Sequence, residues 1–288
     1  MARVGFCGLG VMGFPMAGHL AKNNHEVSVY NRTGARALEW VAAHGGHAFP
    51  TPGEVAAESD IVFLCVGNDD DVRQVMLSEG GVLDGAHEGL IVVDHTTTSA
   101  ILARDMHQSC AAHGVTYIDA PVSGGQAGAE NGALTVMCGS VEVAEFDAVA
   151  EVIGAYSRAC VRLGGVGAGQ LAKMVNQIAI AGVVQGLSEA LAFAQHAGLD
   201  AHAVVDVISK GAAQSWQMEN RGHTMVDDKF DFGFAVEWMI KDLGFCIEEA
   251  QRNGSQIPVA DLVLGYYKEL AADGGSRLDT SSLIRRLR

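Results

Sequence analysis

The sequence predicts two dissimilar halves: an α/β first half built on a doubly wound parallel sheet, followed by an all-α second half. Three observations carry this. Short apolar runs alternate with helical stretches across 3–163, as a parallel sheet with crossover helices requires. The first of those runs leads directly into a G-x-G-x-x-G segment. After residue 163 the strand signals stop, and 164–194 contains no proline and reads as one long, mostly buried helix. The predicted domains are therefore 1–163 and 164–288, joined by that helix.

A chain of 288 residues with 49% apolar and 18% charged residues can bury two cores and should be folded throughout. The formal net charge of −15 argues against nucleic acid or an anionic membrane surface as a partner. A local pocket for a small anion is still compatible with it. The cysteines are scattered through apolar runs with no CxxC pair, which fits free thiols in a reducing cytoplasm. The apolar N-terminus is broken by glycines and has no basic lead-in, so it is expected to be strand rather than export signal. Asn176, Gln177, Gln185 and Glu189 interrupt the long helix, so a soluble protein is expected.

Each element can be justified in turn. Arg3–Cys7 is a short strand, and Gly8-Leu9-Gly10-Val11-Met12-Gly13 opens the helix after it. Gly8 permits the tight turn, Gly10 lets a pyrophosphate approach the backbone, and Gly13 allows close helix–strand packing. The strand Glu26–Tyr30 completes the βαβ unit and ends in Asn31-Arg32-Thr33. A ribose-binding carboxylate is expected at that place in an NAD-binding unit. Here Asn31 takes the position, and Arg32 can pair with a 2′-phosphate without repulsion. NADP(H) is thus the preferred cofactor and NAD(H) the second choice.

The alternation continues through strands at 60–66, 90–94 and 115–119. Asp69-Asp70-Asp71 matches no calcium-loop spacing and suits a helix N-terminus. His107, Cys110 and His113 drift around their helix without a fourth ligand, so no metal site is predicted. Ser123-Gly124-Gly125 offers a hydroxyl and open backbone N–H groups, chemistry suited to a carboxylate or simply to a loop. A strand at 133–138 follows a polar turn near residue 130, and a helix at 143–153 and a strand at 158–163 end the half.

In the second half, helices are predicted at 201–209, 232–253 and 259–272. Gly182 and Gly186, four residues apart in the long helix, suggest close approach of another helix, since each costs about 1 kcal/mol against alanine. The basic run Arg285-Arg286-Leu287-Arg288 reads as a solvated, frayed helix end. So apolar a helical domain would leave large faces uncovered alone, which predicts a homodimer or homotetramer formed through it. Lys173 stands near the start of the long helix among apolar and small neighbours, on one face with Asn176 and Ile180. A charge placed there needs a partner.

With these pieces together, the chain resembles the β-hydroxyacid dehydrogenase family over nearly its whole length. The blocks that carry the resemblance are GFCGLGVMGFPMAGHLAKNNHEVSVYNRT from Gly5, DAPVSGGQAGAENGALTVMCGS from Asp119, GAGQLAKMVNQ from Gly167 and KDLGF from Lys241. The resemblance implies that Lys173 is the catalytic acid/base and that Asn176 binds substrate beside it. It further implies that Ser123, Gly124 and Gly125 hold the substrate carboxylate. Val66, Gly67 and Thr97 would touch the cofactor, although family members often carry Leu-Pro where this chain has Val66-Gly67. Lys241 would close over the cofactor from the helical domain. The activity implied is NADP(H)-linked interconversion of a small β-hydroxyacid and its semialdehyde or keto acid. The alternatives are a reductase for glyoxylate or succinic semialdehyde, and a non-catalytic cofactor-binding scaffold. Imine-reducing relatives of this fold lack the lysine.

Overall fold

The computed structural model describes residues 1–288. The chain forms two compact units, Met1–Lys173 and Met174–Arg288.

The first unit is a sheet wound on both faces. In chain order it contains β1 (Arg3–Cys7), α1 (Gly13–Lys22), β2 (Glu26–Tyr30), α2 (Gly34–His44), β3 (His47–Ala48), α3 (Pro52–Ala57), β4 (Ile61–Leu64), α4 (Asp69–Leu77), β5 (Ile91–Asp94) and α5 (Ala100–Ala111). It continues with β6 (Thr116–Asp119), β7 (Val122–Ser123), α6 (Gly125–Glu130), β8 (Leu134–Gly139), α7 (Val143–Ile153) and β9 (Ser157–Gly164). The strand order β3-β2-β1-β4-β5-β6 is parallel throughout. It reverses direction on either side of β1, the arrangement that opens a crevice at the carboxyl ends of the strands. Antiparallel β8 follows β6, and β9 lies parallel to β8.

Alternation along the strands explains the double winding. Ile61, Phe63, Val93 and Ile118 pack on one face against Met16, Leu20 and Trp40. Val62, Leu64, Val92 and Tyr117 pack on the other against Val55, Met76 and Met106. Successive side chains of a strand point to opposite faces, so a strand covered on both sides reads as an unbroken apolar run. β6 and β7 keep one register along β8, Asp119 against Gly139 and Ser123 against Thr135, so they form one strand bent at Ala120-Pro121. α6 was not foreseen: a loop and a polar turn were expected there. Gly124 at φ 131° and Gly125 at φ 59° let the chain turn straight from β7 into this helix.

The second unit is helical. α8 (Ala168–His196) begins in the first unit and runs into it. α9 (Ala201–Ile208), α10 (Trp216–Val226), α11 (Val236–Asn253) and α12 (Pro258–Leu270) follow. α8 is long and apolar enough to cross a membrane by composition, but half of its most apolar window is buried inside the protein. Two expectations are corrected in this unit. The C-terminus is not frayed: Ile284 is fully buried with Leu187, Leu191, Val205 and Met225. Arg285 and Arg288 both pair with Asp228, and Arg286 pairs with Glu269. An apolar residue every few positions had been hidden by the charges around it. Nor do Gly182 and Gly186 admit a close helix within the chain. A Cβ at Gly182 would stand 4.0 Å from Val259, and one at Gly186 would meet nothing.

Candidate active site

Because β1 to β6 are parallel, the loops that follow β1, β2, β4, β5 and β6 leave from one edge of the sheet. Most of the predicted cofactor residues stand on those loops. In the glycine loop, a Cβ on Gly8 (φ 103°) would lie 2.3 Å from the Cys65 carbonyl oxygen, and one on Gly13 would lie 1.9 Å from the Gly8 carbonyl oxygen. Both glycines are fixed by packing. A Cβ on Gly10 would meet nothing within 4 Å, so that glycine leaves open space at the loop surface. Exposed Val11 and half-buried Met12 follow it, and α1 begins with no side-chain cap and no acidic residue in its first turn. An uncapped helix start with open backbone fits an anionic diphosphate.

The peptide of Leu9 is clamped on both sides. Its N–H donates to Asn31 Oδ1 at 2.9 Å, and its carbonyl accepts from Arg36 Nε at 3.1 Å. Asn31 Nδ2 in turn donates to the Thr33 carbonyl, so the residue predicted to meet the ribose also braces the glycine loop. Arg36 lies 4.0 Å above the Phe14 ring. The Arg32 side chain is 77% exposed at the end of β2 and pairs with Asp71 at 3.1 Å. An ion pair this exposed contributes about 1 kcal/mol or less, so another anion can compete for the guanidinium.

The loops after β4 and β5 are tied to each other. The Val66 N–H donates to Thr96 Oγ1 at 3.1 Å. Gly67 and Thr97 are half-buried beside them, with Thr96 and Thr98 buried on either side of Thr97. The three acidic residues do start a helix, as expected: Asn68 caps α4 by accepting from the Asp71 N–H. Asp69 accepts from the Ser99 N–H and hydroxyl at 3.0 and 2.6 Å.

Beneath these loops lies a buried polar layer. Asp94 accepts from the Thr96 N–H and the Tyr117 hydroxyl. Burial lifts its carboxyl from 3.8 to about 6, against the pull of those donors. His95 is stacked on Phe63, and burial lowers its imidazole to about 4, so the ring is neutral. Its Nδ1–H donates to the Ala120 carbonyl at 2.6 Å and Nε2 accepts from the Tyr156 hydroxyl at 2.8 Å. That grip holds the strand bend just before Ser123.

Asp119, at the end of β6, caps α8 from a distance. Its two oxygens accept from the Gly167 and Gln170 N–H groups at 2.7 and 2.9 Å. Desolvation lifts its carboxyl to about 6 while those backbone donors lower it. The Gln170 side chain ties the same turn to the β5 loop, accepting from the Thr98 N–H at 3.0 Å and donating to the Thr96 carbonyl at 2.8 Å. Leaving either group unsatisfied would cost about 1–3 kcal/mol. Lys173 follows one turn later and is 8% exposed, so its backbone is set by Asp119 and Gln170. Ser123, half-buried, and exposed Gly124 and Gly125 stand at the β7–α6 turn.

Asn176 and Lys241 are linked within the second unit by two residues that were not predicted. Asn176 Nδ2 donates to Gln177 Oε1 at 2.8 Å, and Gln177 Nε2 donates to Asp242 Oδ2 at 2.6 Å. Lys241 Nζ lies 3.4 Å from the other Asp242 oxygen. Sequence reasoning thus missed Arg36, Asp119, Gln170, Gln177 and Asp242. A signal for two of them was present: Gln170, Lys173 and Gln177 share one face of an otherwise apolar helix.

The model for the NAD binding domain of 6-phosphogluconate dehydrogenase matches residues 3–165. The model for the NAD-binding segment of NADP-dependent 3-hydroxyisobutyrate dehydrogenase matches 167–287. An uncharacterized oxidoreductase of Shewanella frigidimarina is 62% identical over 287 residues, covering 100% of this chain and 98% of that protein. The 2-hydroxy-3-oxopropionate reductase of Escherichia coli is 33% identical, covering 99% of this chain and 97% of the enzyme. Among solved structures, 3-hydroxyisobutyrate dehydrogenase of Mycobacterium tuberculosis with L-serine superposes with a TM-score of 0.89 at 30% identity, covering 100% of this chain and 99% of that one. The chain therefore belongs to the β-hydroxyacid dehydrogenase family of NAD(P)-dependent oxidoreductases.

Proposed function

We propose that this enzyme interconverts a small β-hydroxyacid with its semialdehyde or keto acid, prefers NADP(H), and uses Lys173 as acid/base. The observation that carries the reading is a buried lysine in the second turn of a helix whose first turn is fastened to the β5 and β6 ends. In the reductive direction Lys173 gives a proton to the developing alkoxide, and in the oxidative direction it takes the hydroxyl proton. When bound, the nicotinamide cofactor supplies or accepts the hydride. Gly8 to Gly13 would hold its diphosphate, with Val66, Gly67, Thr97 and Lys241 around the rest. Ser123 with the Gly124 and Gly125 peptides would take the substrate carboxylate, and Asn176 would bind the reacting oxygen.

Arg32 supports the preference for NADP(H): it presents a largely exposed guanidinium after β2, and 31–33 contains no carboxylate. The names of the relatives support a short acid. Both 2-hydroxy-3-oxopropionate, as the aldehyde to be reduced, and 3-hydroxyisobutyrate, as the alcohol to be oxidised, place a carboxylate near the reacting carbon. A glyoxylate or succinic semialdehyde reductase is the second reading within this chemistry.

We also infer a homodimer or homotetramer formed through the helical unit. Supporting it is an exposed small-residue and apolar stripe on α8, comprising Val175, Ala179, Val183, Gly186, Ala190 and Phe193. A cytoplasmic location is in keeping with six cysteines that form no disulfide.

The test is a panel of 3-hydroxyisobutyrate, 2-hydroxy-3-oxopropionate, glyoxylate, succinic semialdehyde and serine, assayed with both cofactors. Turnover of at least one acid with higher kcat/KM for the phosphorylated cofactor is expected. No turnover of any, or a preference for NAD(H), would overturn the corresponding part of the reading.

A further inference from the structure

We propose that Asp242 and Gln177 are positioning residues, a polarity relay that orients the Asn176 amide toward substrate and couples it to Lys241. The proposal rests on the reading of Asn176 and Lys241 given above.

A carboxylate only accepts hydrogen bonds, whereas a primary amide has a donor end and an acceptor end. Asp242 is 3% exposed and Gln177 1%, so neither can turn to water for a partner. The carboxylate therefore dictates which end of Gln177 it meets. Nε2 points at Asp242 Oδ2 at 2.6 Å, and it also donates to Met239 Sδ at 3.7 Å, which engages both of its hydrogens. Gln177 Oε1 is then left for its other neighbour. Asn176 meets it through Nδ2 at 2.8 Å. The Asn176 donor end is thus turned into the relay and its carbonyl oxygen away from it. With one Nδ2 hydrogen held by Gln177, the directions of the second Nδ2 hydrogen and of the Asn176 carbonyl oxygen are fixed as well.

The other end of the relay is anchored by charge. Lys241 Nζ lies 3.4 Å from Asp242 Oδ1, and the ammonium also stands 5.8 Å from the Trp238 ring centroid and 5.6 Å from that of Phe245. A buried carboxylate needs such a cation. One carboxylate therefore orients the substrate-side amide through Gln177 and steadies the cofactor-side lysine directly. Loss of its charge removes both the fixed polarity and the anchor.

The test uses the full-length enzyme with NADPH or NADP+ and the best-used acid of the panel above, with melting temperature followed for each variant. Gln177→Met, of similar length, should raise the substrate KM about tenfold and leave the cofactor KM unchanged. Asp242→Asn should raise both constants. In an Asn176→Ala background Asp242→Asn should add little to the substrate KM, and in a Lys241→Ala background little to the cofactor KM. Should Asp242→Asn fail to fold, Gln177→Met alone and combined with Asn176→Ala still decides the substrate arm. If Asn176→Ala and Lys241→Ala change neither constant, the site assignment falls and the relay with it. If those two act as expected while folded Asp242→Asn and Gln177→Met change neither constant, or act additively with them, the relay alone falls.

Discussion

The two units hold their polar groups in different ways. In the first, backbone geometry shapes the cofactor loops above a buried polar layer: parallel strands end at one edge, and glycines 8 and 13 sit where any side chain would strike a carbonyl oxygen. In the second, buried side chains hold one another, as in the run from Asn176 through Gln177 and Asp242 to Lys241. Constraints of the first kind forbid all but one residue type and so leave a motif. Constraints of the second kind depend on partners that are distant in sequence and leave almost no local trace.

Substitutions can sharpen this contrast. The largest effect is expected from Gly13→Ala, whose new methyl would lie 1.9 Å from the Gly8 carbonyl oxygen. The glycine loop must shift, and NADPH affinity measured by fluorescence titration should fall at least about 100-fold or the chain should not fold. Gly186→Ala in the helical unit meets nothing within 4 Å. It should stabilise the isolated chain by up to about 1 kcal/mol in a denaturant titration.

Asp119→Asn comes next. Asparagine can accept only one of the two N–H bonds that Asp119 takes from Gly167 and Gln170, leaving a buried donor unmet at about 1–3 kcal/mol. The folded carboxyl is raised from 3.8 to about 6 by burial. An acid raised on folding binds its proton more tightly in the native state, so the stability it contributes falls as pH rises from about 4 to about 6. The asparagine variant lacks that fall. Its deficit against wild type should therefore be larger near pH 4 than near pH 7. An equal deficit at both would show that Asp119 is not raised.

Arg32→Ala should weaken NADPH about tenfold or more while NADH changes less than twofold, read from the two KM values. Equal losses would remove the 2′-phosphate role. The smallest effect is expected from Arg285→Ala, about 1 kcal/mol or less, since both partners of its pair with Asp228 are well exposed to water. Ile284→Ala, which empties a fully buried site, should cost about 2–5 kcal/mol.

Much of the first unit was legible. Continuous apolar runs marked the strands because both faces are covered, and the glycine loop, the helix start at Asp69 and the lysine helix could all be read from local pattern. α6 was missed because its start depends on two positive-φ glycines that also suit a loop. Asp119 was quoted within a motif but not understood: its role requires knowing that the end of β6 meets the start of α8, 48 residues later. Gln177 and Asp242, 65 residues apart, stayed silent for the same reason. The tail was misread because its arginines are conspicuous and its fully buried core residues, Leu283 and Ile284, are not.

The central claim is that Lys173 carries the proton. The most direct measurement is single-turnover hydride transfer in Lys173→Ala with NADPH pre-bound and the best-used carbonyl acid added. NADPH should bind within about twofold of wild type while the transfer rate falls about 10²–10⁴-fold. Full NADPH-linked transfer in that variant would contradict the account.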